Sequence, residues 1–100
     1  MSSNARLRWF AFRQNNVRGF FVEDANLGRW VLIEAPNEQA ANDKLVDLGA
    51  RYDRCGCCGC RWSDPRTELD EPLIYGNDWR SEPGSVRVHH ADGRVESKDV

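Results

Sequence analysis

Every cysteine of this chain lies within six residues, Cys55-Gly56-Cys57-Cys58-Gly59-Cys60, and Trp62 follows at once. The remaining segments read as the scaffold that presents this stretch. At 100 residues the chain is sized for one domain around one core. Such a domain buries only about two thirds of its unfolded surface, so stability is modest and an extra cross-link would help. The residues are 40% hydrophobic, with four Trp and four Phe, which suits a packed globule rather than a disordered chain. A single domain over 1–100 is expected, with residues 1–4 as a flexible polar start.

Charge lends no support to one class of partner. The net charge is −2 and the pI about 5.6, without the basic footprint of a general nucleic-acid binder. Of the 14 basic residues, 12 are Arg and 2 are Lys, a bias that fits a GC-rich coding genome better than a specific site. No apolar run is long enough for a signal peptide or a membrane span. The cysteines are therefore expected in a reducing cytoplasm, where clustered thiols bind metal or do redox work more often than they form structural disulfides.

Along the chain, residues 5–13 alternate as a strand. Leu7, Trp9 and Ala11 lie on one face and Phe10 and Phe12 on the other, which predicts a central position. Gln14-Asn15-Asn16 predicts a turn, and residues 19–23 a second strand. Residues 29–34 predict a third strand, so the three would form a meander. Asn37 then caps a helix whose stripe is Ala41, Leu45 and Leu48, with Gly49 as its stop. The helix is expected to lay Leu45 and Leu48 against Trp30, Leu32 and Phe20. Residues 63–83 read as a long loop in which only Leu73-Ile74-Tyr75 resembles a strand, and a loop of this length needs an anchor or a role. Residues 85–90 alternate again, turn at Ala91-Asp92-Gly93 and return as an edge hairpin. The predicted fold class is α+β: an antiparallel sheet of four to five strands, one helix on a face, and a cysteine knuckle after the helix.

Two Cys-x-x-Cys pairs interleave in the cysteine stretch, Cys55 with Cys58 and Cys57 with Cys60. Glycine inside such a turn permits the bend that aims two sulfurs at one ion. Zinc wants four tetrahedral ligands, and neighbouring Cys57 and Cys58 tend to point apart. A site using two or three cysteines would complete its shell elsewhere, from His89, His90 or Asp64. His90 is the attractive choice, because Val86 and Val88 on its face would turn it inward; the alternative is two surface histidines. Metal ligation leads, while packed or exposed thiols, a redox pair and an iron–sulfur cluster stay open.

Trp62, Tyr75 and Trp79 are candidates for an aromatic wall beside the knuckle, and Arg54, Arg61 and Arg66 flank the cysteines. Such residues are enriched at binding hot spots, yet core or loop-anchoring aromatics and solvated arginines are the commoner case. No Gly-rich phosphate loop, nucleophile elbow or His-Glu-x-x-His is present, so no enzyme is predicted.

Several motifs together carry a resemblance. Arg13-Gln14-Asn15-Asn16 stands in the first hairpin, and Ile33-Glu34-Ala35 precedes an Ala-rich helix ending at Leu48-Gly49. Cys55-x-Cys57-Cys58-Gly59-x-Arg61-Trp62 follows, then Pro72-x-Ile74-Tyr75-Gly76 and Ala91-Asp92-Gly93. In this the chain resembles a family of small uncharacterised proteins of tailed bacteriophages, many infecting actinobacteria. An acidic residue stands at Cys60 in that pattern, which favours Cys55, Cys57 and Cys58 as ligands. The resemblance brings no activity with it. The function expected is that of a small phage accessory protein in the host cytoplasm, which binds a host protein through a loop ordered by a zinc knuckle. A module gripping nucleic acid or a nucleotide with those arginines and aromatics is the alternative.

Overall fold

The run Trp30-Val31-Leu32-Ile33 has no polar position, and the computed structural model explains it: all four side chains are buried, alternately on the two faces of one sheet. The structure describes residues 7–14, 23–49, 62, 70–74 and 77–99, with the backbone of 54–55 and 59–60. Elements follow in the order β1 (Arg8–Arg13), β2 (Trp30–Ala35), α1 (Glu38–Asp47), β3 (Arg54–Cys55), β4 (Gly59–Cys60), β5 (Leu73–Ile74), β6 (Asn77–Asp78), a 3-10 turn (Trp79–Ser81), β7 (Val86–His89) and β8 (Val95–Lys98). The α+β class is as expected.

The main sheet has the order β1-β2-β7-β8. β1 pairs antiparallel with β2 from Arg8 opposite Ala35 to Arg13 opposite Trp30. β2 pairs parallel with β7, Trp30 opposite Val86 and Ile33 opposite His89. β8 returns antiparallel along β7. The expected antiparallel sheet is thus mixed. Its parallel pair arises because the chain leaves β2, passes through α1 and the cysteine stretch, and re-enters alongside β2 in the same direction. The expected meander is also revised: β1 lies directly against β2, and among the described residues it stands at an end of the sheet. Residues 19–22 of the predicted middle strand lie outside the described residues, and Glu23 belongs to no strand.

Period-two alternation sorts the core into two layers. One holds Phe10, Phe12, Val31 and Ile33, covered by Ala41 and Leu45 of α1, by Leu27 and by Trp62. The other holds Trp9, Ala11, Trp30, Leu32, Val86 and Val88, covered by Ile74 and Trp79. The helix therefore packs on Val31 and Ile33, not on Trp30 and Leu32. Both pairs are apolar, so alternation alone cannot choose between them. Each large side chain taken out of water contributes about 1.5–3 kcal/mol.

Local signals set the ends of α1. Asn37 Oδ1 accepts from the Ala40 amide at 2.8 Å, satisfying one of the helix's unpaired first-turn donors. Gly49 terminates the helix at φ +101°, in the region that favours glycine. The predicted loop over 63–83 is more ordered in its second half than expected. There β5 and β6 form a two-stranded ladder, and Ile74 and Trp79 close the second core layer. No helix among the described residues is long and apolar enough to cross a membrane.

Candidate functional site

The cysteine stretch folds back on itself. β3 and β4 pair antiparallel, with Arg54 opposite Cys60 and Cys55 opposite Gly59. These two strands form the base of a hairpin, and Cys57 and Cys58 fall between them in sequence. Cys55 and Cys60 occupy adjacent rungs at its base. Cys57, Cys58, Arg61, Tyr75 and Asp64 lie outside the described residues, as do the side chains of Cys55 and Cys60.

Two residues beyond Cys60 the chain is pinned. Trp62 forms an antiparallel bridge with Gln14, just past the end of β1, and its ring sits in the helix-side core at 4% exposure. Gln14 is itself fixed, its amide donating to Arg29 O at 2.8 Å and its side-chain Nε2 to Gly28 O at 2.9 Å. Trp79 is buried in the other core layer, with the Arg80 guanidinium 4.5 Å from its ring centroid. The two tryptophans therefore stand on opposite faces of the sheet and do not share one wall. Neither buried indole Nε1 has a hydrogen-bond partner among the described residues.

His90 has other company than the hairpin. Its Nε2 lies 2.7 Å from Glu96 Oε2, and Arg94 donates to its Nδ1 at 3.1 Å. Because a guanidinium can only donate, Nδ1 carries the lone pair and Nε2 the hydrogen given to Glu96. The ring also meets Trp9 edge to face, centroids 5.1 Å apart. The hydrogen bond from His90 holds the Glu96 carboxyl below its usual range. His90 follows the carboxyl end of β7, whereas the Gln14–Trp62 bridge adjoins the opposite rim. Five rungs and two strand spacings separate them, about 16 Å along the strands and about 10 Å across.

Two polar residues of β7 lie on its inner face, Arg87, which no sequence signal set apart, and His89, expected as a candidate ligand or a surface residue. Arg87 and His89 alternate with Val86 and Val88 and read as a solvent face, yet both are buried. They are covered by the turn from Asp24 to Leu27, whose carbonyls they satisfy. Arg87 Nε donates to Asp24 O at 2.7 Å, and its other nitrogens reach Val86 O, Lys98 O and Asp99 Oδ1. His89 Nε2 donates to Asn26 O at 2.8 Å, which leaves Nδ1 as the acceptor of a neutral ring. Burial lowers the His89 pKa, and the nearby Lys44 and Arg87 charges add to the shift.

A family model described as a domain of unknown function, DUF7296, matches residues 7–98, from the residue before β1 to the last of β8. No curated protein and no solved structure matches the chain.

Proposed function

The chain belongs to the DUF7296 family, and from that premise we propose that this member is a small phage-encoded accessory protein that binds a host macromolecule, a protein, in the host cytoplasm. The cysteine hairpin is the presenting element, and zinc held by Cys55, Cys57 and Cys58, with Cys60 as the further thiolate, fixes its tip. Thiolates suit zinc, and a fully ligated ion would be structural, with no open position for water. The engagement of both His90 nitrogens by Arg94 and Glu96 favours a shell drawn from the cysteines. Arg61 and Tyr75, both outside the described residues, are proposed to contact the partner.

The observation that carries this reading is the pinning of Trp62, bridged to Gln14 and sunk in the core. A hairpin anchored so close to its base keeps its orientation and loses less freedom on binding. The burial of Trp62 and Trp79, the latter beneath Arg80, supports a protein partner over nucleic acid, since stacking on bases needs free aromatic faces.

The test is capture from host lysate with metal-replete protein, alongside metal analysis and a thiol count. One zinc per chain, protected thiols and a protein partner lost with Cys57→Ser/Cys58→Ser support the reading. Four freely titrating thiols without metal remove the zinc. A capture abolished by nuclease and steeply weakened by salt transfers the reading to nucleic acid, and no partner above background ends it.

A further inference from the structure

A groove of about 270 Å³ opens where the sheet's parallel pair ends. This is just below the roughly 300–1,000 Å³ of pockets for drug-sized ligands, so it suits a small molecule. β2 supplies Ile33, Glu34 and Ala35 to it, α1 supplies Ala40 and Lys44, and His89 and His90 stand at the end of β7. The carboxyl ends of adjacent parallel strands are where α/β sheets place small ligands, because the chain diverges there into separate elements and leaves a crevice. Here α1 departs to one side and the β7–β8 turn to the other.

The polar groups of this groove are unevenly committed. His90 has both nitrogens engaged. Glu34 Oε1 accepts from the Ala91 amide at 3.0 Å, while its other oxygen has no partner among the described residues. Lys44 has no ion pair among them either. His89 is 3% exposed and uses only Nε2; its Nδ1 lone pair has no described donor. A ring nitrogen without a described donor beside a groove can accept one supplied from outside.

We propose that this groove binds the zwitterionic head of a small apolar α-amino acid. Its ammonium faces the unpaired oxygen of Glu34, its carboxylate faces Lys44, and its side chain lies on Ile33, Ala35 and Ala40. The charges decide the class. An anion alone would meet Glu34 and a cation alone would meet Lys44, whereas a zwitterion satisfies both. Among the described residues no three His, Cys, Asp or Glu side chains could hold a metal ion, so these donors do not read as a metal site.

The test is an NMR titration of the full chain with L-valine, 3-methylbutanoate, isobutylamine and inorganic phosphate, following the His89 ring and the Ala40, Ala91 and Gly93 amides. Saturable valine shifts are expected at these positions. The analogues lacking either charged group should bind at least about tenfold more weakly, a loss of about 1.4 kcal/mol. Lys44→Met and Glu34→Gln should each weaken valine similarly; the glutamine keeps an oxygen for the Ala91 amide, so the turn is held. Equal binding of the half-analogues, preference for phosphate, or no saturable shift up to about 10 mM valine, ten times a Kd of about 1 mM, overturns the proposal.

Discussion

Replacing Trp62 separates two roles that its burial combines. The ring fills the helix-side core, so Trp62→Ala should cost about 3–5 kcal/mol through lost burial and the cavity left behind. That is a large share of the roughly 5–15 kcal/mol that holds a domain of this kind together. Trp62→Phe keeps much of the ring and removes an indole N–H that is buried without a partner among the described residues. An unpaired buried donor costs about 1–3 kcal/mol, and relief of that cost opposes the smaller cavity. The phenylalanine variant should therefore fall within about 2 kcal/mol of wild type. Urea unfolding followed by far-UV circular dichroism, under reducing conditions, measures both. With a slope of about 1–3 kcal/mol per molar urea, the alanine variant should lose about 1 M or more in midpoint. Equal losses for the two variants would mean that the N–H is bonded after all. A loss below about 1 kcal/mol for Trp62→Ala would mean that the ring is not core, and the anchoring of the cysteine hairpin would fall with it.

Two further outcomes follow from α1 and β7. Leu45→Ala should destabilise by about 2–5 kcal/mol, whereas Val46→Ala, at a half-exposed position, should stay within about 0.5 kcal/mol; similar losses in thermal melts would mean that the helix faces the sheet differently. Burial depresses the His89 pKa, so its contribution to stability is fully present above the unfolded value near 6.5 and is lost as pH falls through the lower folded value. Urea midpoints measured from pH 7.5 downward should decline through this window, and His89→Gln should flatten the decline; an unchanged slope would count against a buried neutral ring.

Local features of the fold were legible in the sequence because they are written locally. Asn37 and Gly49 bound the helix from their own side chains and backbone angles. Gly93, at φ +97°, marks the turn into an edge strand. The mixed sheet was not legible. Alternation in Val86 to His89 identifies a strand but carries no record of its neighbour, and parallel contact with β2 depends on the whole intervening path. Trp79 sat among prolines and glycines and read as loop, and Leu73-Ile74-Tyr75 read as no more than a strand-like patch within it, although Ile74 and Trp79 close a core layer. At the candidate site, clustering drew attention to the cysteines, whose hairpin pairing the structure supplies. Arg87 went unnoticed, and His89 was read only as a candidate ligand or a surface residue, because a polar row faces water unless a turn with unpaired carbonyls happens to lie over it.

The side-by-side alignment of Trp30–Ile33 with Val86–His89 bears on how this chain is made. Translation delivers β7 only after the whole stretch from α1 to the 3-10 turn, so the apolar centre of β2 must wait on one flank while that stretch leaves the ribosome. Pairings between such remote segments form slowly, because a long loop must close before any contact rewards it. During that wait, Trp30 and Leu32 lack Val86 and Val88, and a nascent chain in this state is prone to stick to others. A stop codon placed before Val86 should therefore yield aggregates rather than a shortened soluble domain, even though it spares β1, β2, α1 and every cysteine.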